Sequence, residues 1–428
     1  MAKIAILTTF AKFDPWYSLT GIVKDQARML AEYGNEVFIF VNEKFGDADQ
    51  LFLDPNCHLV KKIPFTHLHD YQNNESLSEE HQNIAQKTAD VLLEQIQDLK
   101  IDTIFTHDFI FTGWNKPYAL GIQKLNGKTP ETIWLHWIHS IPSRFSDWWN
   151  MAEYGRGHKI IYPNATDRIR VAENYRTTTD SVRIIPHIKD LRIMFDFSEE
   201  TCELIDNYPA LMQADVVQVY PASSDRFESK RVAEVIKIMG AIKSCGHSVC
   251  LFIANQWATT QKHYANLLEF YELGRKYGLD PTRDFIFSSL FTVNNKQPYK
   301  VGVPAKILTQ LMMLSNLFVF PTREETFGLV LPEVSLASGA LCVLNKSLQM
   351  MTEVGGGNTL YFDFGSYTHN FEPANMDDYL KQIALIILGR MQENDSILTR
   401  TFMRKHYNYD NLFRYYYAPV MAEVRLHL

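Results

Sequence analysis

The sequence predicts an α/β protein with two doubly wound parallel sheets, each in its own domain. The 428 residues exceed the roughly 250–300 at which a single core stops growing. Short apolar strands alternate with amphipathic helices in both halves, which is typical of parallel sheets. This alternation lapses over residues 188–212, where we expect a linker. We therefore predict domains over 1–190 and 210–405, followed by a terminal segment over 406–428.

The first half begins with a β-α-β unit. The apolar run Lys3–Thr9 predicts a strand, and the amphipathic stretch from Gly21 to Tyr33 predicts a helix. Gly34-Asn35 ends that helix, and 36–41 is the next strand. The pattern continues with a helix over 77–99 and strands over 102–106, 132–136, 159–162 and 182–186.

The second half repeats this architecture without repeating the sequence. Its first predicted strand is Asp215–Tyr220, and the chain then alternates between helices and strands. The predicted helices lie near 230–243, 261–277 and 305–314 and from Pro332 onward, and the strands over 247–253, 284–287, 317–320 and 341–344.

Composition narrows the function classes. With 46% hydrophobic and 21% charged residues the chain is an ordinary globular protein, and its apolar runs are shorter than the roughly 18 residues that cross a bilayer. We expect a cytoplasmic protein. The five cysteines are scattered without metal-ligand spacing, so neither a zinc site nor a disulfide framework is predicted. A net charge of −7 argues against a surface covered by nucleic acid, although a local basic groove is allowed.

The most informative stretch runs from Phe320 to Gly339. A strand ends at Phe320, a polar turn carries Glu325, and Pro332 opens a helix whose free N–H groups favour an anion. Glu325 and Glu333 are separated by seven residues, so both can face one crevice. From spacing alone, Glu333 could equally complement its helix dipole while Glu325 is a solvated charge.

This stretch resembles the E-x7-E signature of retaining GT-B glycosyltransferases, especially those of the family 4 type. The matching positions are Glu325, Phe327, Gly328, Glu333, Ala337 and Gly339. Thr326, Pro332, Val334 and Ala340-Leu341 depart from the usual pattern. The resemblance implies two Rossmann-like domains facing a central cleft, with acceptor binding by the first domain and donor binding by the second. It also implies that the terminal segment is a helix returning to the first domain.

The resemblance assigns roles in the donor site. Glu325 is expected to bind hydroxyls of the donor sugar and Glu333 the nucleotide ribose, as charge-assisted acceptors. The segment from Thr326 to Leu329, with the backbone N–H groups of Phe327, Gly328 and Leu329, is expected to line the sugar and diphosphate.

A second segment, Val219–Lys230, ends the first strand of the second domain. Ligands of open α/β sheets bind beyond such strand ends. Arg226 and Lys230 resemble the Arg and Lys that clamp the donor diphosphate in this family and stabilise the leaving group. Because the spacing is one residue shorter than usual, Arg231 is the alternative counterpart of the Lys. A solvated basic cap is disfavoured, since cations oppose the dipole at a helix start.

The first half offers weaker candidates. His136 ends a strand where the family often has a His that touches the donor sugar, and His107 and His139 are further candidates; backbone carbonyls commonly satisfy such histidines instead. Gly21 lies where the family has a glycine-rich loop, or is a plain helix-start glycine. Asp47-Ala48-Asp49 spells a metal-binding D-x-D triplet, which we interpret as a surface acidic pair, and we expect no metal.

The leading hypothesis is a retaining glycosyltransferase that needs no cofactor and uses a UDP-sugar, with a GDP-sugar as the alternative. The favoured acceptor is a glycan or lipid-linked sugar, reached through peripheral membrane contact in the latter case, and a small metabolite is another. A phage-type DNA glycosyltransferase, a non-catalytic scaffold, and another GT-B enzyme, such as an epimerase or a phosphorylase, remain alternatives. The basic residues that could line a DNA groove are Arg168, Arg170, Arg176, Arg183, Lys296, Lys300 and Lys306.

Overall fold

The computed structural model describes residues 2–46, 55–64, 66, 77–110, 115–139 and 150–426. The chain divides into two compact units. Unit 1 comprises Met1–Asp190 with Tyr409–Leu428, and unit 2 comprises Leu191–Asn408. Both are built on parallel β-sheet covered by helices, so the predicted α/β class with two Rossmann-like sheets is confirmed.

Unit 1 contains a seven-stranded parallel sheet in the order β3-β2-β1-β4-β5-β6-β7. The order reverses at β1 and β4, as in doubly wound folds. Its central strands are buried and rich in Ile, Val, Leu and Phe because helices cover parallel sheets on both faces. The strands are β1 (Lys3–Leu7), β2 (Glu36–Asn42), β3 (Cys57–Ile63), β4 (Thr103–His107), β5 (Ile133–Trp137), β6 (His158–Tyr162) and β7 (Val182–Ile184).

The helices of unit 1 come from residues 18–174 and from the C-terminal segment 409–426. Tyr33, just past the first helix, stacks on Phe413 with ring centroids 3.9 Å apart, and its hydroxyl donates to the Asp410 carboxylate at 2.7 Å. These contacts bind the terminal segment to unit 1. The helices are α1 (Ser18–Glu32), α2 (Glu79–Leu99), α3 (Lys116–Gln123) and α4 (Arg168–Asn174), then α15 (Tyr409–Leu412), a π-helical turn (Phe413–Tyr417) and α16 (Ala418–Leu426).

Unit 2 contains two three-stranded parallel sheets, in the orders β10-β9-β8 and β11-β12-β13. The strands are β8 (Val216–Ser223), β9 (Val249–Gln256), β10 (Phe285–Phe287), β11 (Leu317–Phe320), β12 (Leu341–Asn345) and β13 (Leu360–Phe362). The helices are α5 (Leu191–Met194), α6 (Glu199–Asn207), α7 (Ala210–Gln213), α8 (Val232–Ser244), α9 (Gln261–Lys276), α10 (Ala305–Met312), α11 (Val330–Ser338), α12 (Gln349–Gly355), α13 (Met376–Gln392) and α14 (Asp395–His406).

Side-chain amides join the two sheets of unit 2 along β8 and β11. Gln218, fully buried in β8, donates to the Val319 carbonyl at 2.9 Å and accepts from the Val319 N–H at 3.0 Å. Asn316, just before β11, accepts from the Val217 N–H at 2.8 Å and donates through its own N–H to the Val217 carbonyl at 3.0 Å. Gln218 and Asn316 therefore satisfy backbone groups that a strand ladder would otherwise pair, Gln218 with its side chain and Asn316 with its side chain and its backbone N–H.

The structure corrects three details of the predicted fold. The strand β3 was not predicted, because its edge position exposes or half-exposes polar side chains such as Lys61 and Lys62. The expected linker over 188–212 contains the short helices α5, α6 and α7. Helix α1 begins at Ser18, three residues before the predicted start at Gly21.

No helix among the described residues is long and apolar enough to cross a bilayer. Among the same residues, no group of three or more His, Cys, Asp or Glu side chains could hold a metal ion. The D-x-D triplet at 47–49 lies outside the described residues.

The first prediction concerns the amides that join the sheets. Gln218→Ala leaves the N–H and carbonyl of Val319 without their buried partner, and each such group costs about 1–3 kcal/mol. We expect the free energy of unfolding to fall by about 2–4 kcal/mol, measured by urea denaturation. Gln382→Ala, on an exposed face of α13, is the matched control and should change it by less than about 0.5 kcal/mol. Equal losses in the two variants would contradict this role.

Candidate functional site

The candidate site of unit 2 is built where β8 and β11 end. The loop after β8 runs from Ser224 to Arg231, and the loop after β11 runs from Pro321 to Leu329. Because the amides of Gln218 and Asn316 hold these strands side by side, the two loops leave the same edge of the sheet. The sequence-predicted residues of both loops therefore come together.

Lys230 and Glu325 form an ion pair between the two loops. The Lys230 ammonium donates to the Glu325 carboxylate at 3.2 Å, and the side chains are 13% and 23% exposed. The ammonium also lies 5.0 Å from the centre of the Phe320 ring, a cation–π contact. The buried Tyr220 hydroxyl donates to the Lys230 carbonyl at 2.6 Å. Burial, followed by the charges of Glu234 and Glu325, raises the Tyr220 pKa, so this hydroxyl remains a donor.

A backbone hydrogen bond holds the loop after β11 against the loop after β8, since the Arg323 N–H donates to the Ser229 carbonyl at 2.7 Å. Within the loop after β11, the Thr322 hydroxyl donates to the Glu324 carbonyl at 2.8 Å. The fully buried Asn345, at the end of β12, donates to the Thr322 carbonyl at 2.9 Å. The sequence analysis missed Asn345, although a polar residue that ends an apolar strand was the available signal.

Gly328 shapes the start of helix α11. Its φ of +77° lies in the left-handed region that favours glycine, and a Cβ there would lie 3.3 Å from the Met351 methyl carbon. Within the described part of the chain, the N–H groups of Phe327, Gly328 and Leu329 donate to no protein acceptor. The side chains of Phe327 and Leu329 are 51% and 69% exposed. These donors at a helix N-terminus are therefore available to a ligand.

The remaining predicted residues of unit 2 differ in exposure. Thr326, Glu333 and Arg226 are exposed, and the Arg226 guanidinium has no hydrogen bond or ion pair among the described residues. Arg231 is 8% exposed and caps α8 with a φ of +52°. Its guanidinium donates to Glu234 at 2.6 Å. Lys230 and Arg231 are the two candidates for the lysine that clamps the diphosphate, and of these Lys230 lies beside Glu325.

His136 lies in the core of unit 1, not at its surface. Its side chain is fully buried, Nδ1 is 2.9 Å from the Thr106 hydroxyl, and Nε2 is 2.8 Å from Nδ1 of His158. Burial lowers the His136 pKa to about 3. Both ring nitrogens are thus engaged within the protein. We therefore correct the expectation that His136 touches a sugar, because no ligand reaches it in this arrangement.

A second histidine chain follows the ends of β4 and β5. His107 Nε2 lies 2.8 Å from the Gln26 side-chain oxygen, and His107 Nδ1 lies 2.7 Å from Nε2 of His139. His139 Nδ1 lies 3.0 Å from Nε2 of the exposed His187. With the Gln26 oxygen as acceptor, all three rings carry their proton on Nε2. Burial lowers the pKa of each, that of His107 to about 3, so the chain is neutral at pH 7.

Other candidates of the first half are not gathered into a site. Gly21 is the fourth residue of α1, so it does not lie in a loop before the helix as expected. Three of the seven basic residues proposed to line a DNA groove pair with nearby carboxylates. Arg168 lies 3.7 Å from Asp180, Arg170 lies 3.7 Å from Asp167, and Arg183 pairs with Glu423.

Comparisons with known proteins do not show a family for this chain. A scan against protein-family models finds no match, and a search of curated proteins finds none. Similar solved structures include a glycosyltransferase from Rickettsia africae, with 14% identity over 99% of this chain and 98% of that chain and a TM-score of 0.37. A sucrose-phosphate synthase from Thermosynechococcus elongatus has 15% identity over 100% and 99% of the chains and a TM-score of 0.35. Anabaena HepE in complex with UDP and glucose has 14% identity over both whole chains and a TM-score of 0.33. We assign no function from these likenesses.

The neutral histidines predict acid sensitivity. Burial depresses the pKa of His136 in the folded protein, whereas the unfolded chain binds a proton below about pH 6.5. Stability is therefore lost as the pH falls below that value. We expect His136→Gln to reduce the loss of unfolding free energy between pH 7 and pH 5 by about 2 kcal/mol, measured by urea denaturation. His58→Gln, at an exposed position, is the control, and identical losses in His136→Gln and the wild type would contradict the assignment.

Proposed function

We propose that the chain is a retaining glycosyltransferase of GT-B architecture that transfers a sugar from a nucleotide diphosphate donor to an acceptor hydroxyl. The observation that carries the proposal is the Lys230–Glu325 pair, which joins two separate loops. The N–H groups just before α11, which have no protein acceptor among the described residues, belong to one of these loops. A cation, a carboxylate and free backbone donors at one sheet edge suit a ligand with both an anionic diphosphate and a polyhydroxylated ring.

Each group has a role in the proposed donor complex. The Glu325 carboxylate accepts hydrogen bonds from sugar hydroxyls, and the Lys230 ammonium binds a phosphate oxygen in place of Glu325. Arg226, whose guanidinium is exposed, binds the diphosphate from the other end of the same loop. The backbone from Thr326 to Leu329 lines the sugar and diphosphate, and Glu333 binds the ribose. A UDP-sugar is the proposed donor, with a GDP-sugar as the alternative.

Catalysis in this proposal needs orientation and leaving-group stabilisation rather than an enzyme nucleophile. The bond between the anomeric carbon and the diphosphate oxygen breaks, and the acceptor oxygen bonds to the same face of that carbon. The acceptor proton passes to the departing diphosphate, whose charge Lys230 and Arg226 stabilise. We propose that unit 1 binds the acceptor, a glycan or lipid-linked sugar. The DNA alternative is less favoured, because three of the seven basic residues named for its groove, Arg168, Arg170 and Arg183, pair with nearby carboxylates.

Glu325→Gln should abolish transfer without unfolding the protein. The amide keeps the size of the side chain but removes the charge that binds sugar hydroxyls. We expect kcat/KM to fall by at least about 100-fold, measured as nucleotide release from UDP- and GDP-sugars with a panel of glycan and lipid-linked acceptors. The adjacent exposed Glu324 provides the matched control, and Glu324→Gln should retain activity. Normal turnover by Glu325→Gln would refute the assigned site.

Arg226→Ala should weaken nucleotide binding. A charge-assisted hydrogen bond to a diphosphate is lost, so we expect the Kd of UDP or GDP, whichever binds more tightly, to rise about 10- to 100-fold in calorimetry. Arg275→Ala, which removes an exposed arginine of α9, should leave the Kd unchanged. Binding that is insensitive to Arg226 would remove this residue from the donor site, and the absence of binding by both nucleotides would refute the proposed function.

A further inference from the structure

An exposed tryptophan lies at the sheet edge that carries the candidate site. Trp257 directly follows β9, the neighbour of β8 in the sheet, and is 57% exposed. It is the one tryptophan between residues 191 and 408 of the sequence. Tryptophan is enriched at binding interfaces because its ring is large and apolar and its indole N–H can find a polar partner. Its place beside the candidate site makes Trp257 a candidate ligand-binding residue.

The backbone around Trp257 is firmly held in an uncommon conformation. Its φ of +60° is unusual for a bulky residue, and such conformations persist only where neighbouring contacts impose them. The Trp257 N–H donates to the Val301 carbonyl at 3.0 Å. The Gln256 carbonyl, one residue earlier, accepts from the N–H and hydroxyl of Ser224 at 3.0 and 2.6 Å.

These contacts connect Trp257 to the proposed diphosphate loop. Ser224 lies two residues before Arg226 in the loop after β8, and its hydroxyl also accepts from the buried Asn255 amide at 3.0 Å. Val301, bonded to Trp257, is itself 55% exposed. Backbone hydrogen bonds thus link Trp257 to Val301, and the preceding Gln256 to Ser224, two residues before Arg226.

We infer that Trp257 stacks on the nucleobase of the donor. The inference rests on the proposed function and adds a residue that recognises the base. Glu325 lies in the loop after β11, on one side of β8, whereas Trp257 directly follows β9, on the other side of β8. Neighbouring strands lie about 4.8 Å apart. If the β8 loop binds the diphosphate and Glu325 binds the sugar, the nucleoside extends toward Trp257. The flat apolar face of a base matches an exposed indole.

Titration of UDP and GDP into wild-type protein, Trp257→Phe, Trp257→Ala and Trp16→Phe tests the inference. Tryptophan fluorescence and calorimetry are followed together, and Trp16, 93% exposed in unit 1, supplies the control. We expect the nucleotide to quench fluorescence in wild type and Trp16→Phe but not in Trp257→Phe. We also expect the Kd to rise about tenfold in Trp257→Ala and less in Trp257→Phe, because a phenyl ring retains part of the stacking.

The outcomes separate the inference from the proposed function. Nucleotide binding that depends on Arg226 but is unchanged in Trp257→Ala would overturn the stacking role and leave the donor site standing. Equal losses in the Phe and Ala variants would also overturn it, since stacking distinguishes a ring from a methyl group. If neither UDP nor GDP binds, the inference and the proposed function fail together. Trp257→Phe keeps an aromatic ring at the exposed position and preserves the fluorescence test if Trp257→Ala does not fold.

Discussion

The candidate site depends on the side-chain amides that join β8 to β11. Gln218 and Asn316 occupy the place of a backbone ladder and satisfy the N–H and carbonyl groups of Val319 and Val217. The sheet order β10-β9-β8 then continues through this junction to β11-β12-β13 as one doubly wound surface. Because the loops after β8 and β11 carry Lys230 and Glu325, the amide junction determines which charges meet.

The Lys230–Glu325 pair shows how the protein keeps opposite charges ready at low solvent exposure. Neither side chain is more than a quarter exposed, so each needs the other while no ligand is bound. The Tyr220 hydroxyl and the Phe320 ring contact Lys230. The hydrogen bond from Asn345 to Thr322 holds the chain before Glu325. A ligand that brings both a phosphate and hydroxyls replaces each charge's partner at once, whereas a simple anion would leave Glu325 unpaired.

The alternation of strands and helices was predictable because local patterns encode it, and strand Leu317–Phe320 has its predicted bounds. The interpretation of His136 failed because every residue of β5 is buried, so no alternation shows which side chains reach solvent. Its partners Thr106 and His158 lie on β4 and β6, and only the sheet register brings them together. The choice between Lys230 and Arg231 likewise required the backbone, since a positive φ at Arg231 turns its side chain toward Glu234.

The sheet edges of the two units differ in charge. In unit 1 the chain His107–His139–His187 is neutral at pH 7, because burial lowers the pKa of each ring. In unit 2 the corresponding edge carries the charged groups Arg226, Lys230 and Glu325. An anionic diphosphate is stabilised by fixed cations, whereas the exposed, neutral imidazole of His187 can form a hydrogen bond with an uncharged hydroxyl. This difference supports the proposed division of labour, in which unit 2 binds the nucleotide sugar and unit 1 the acceptor.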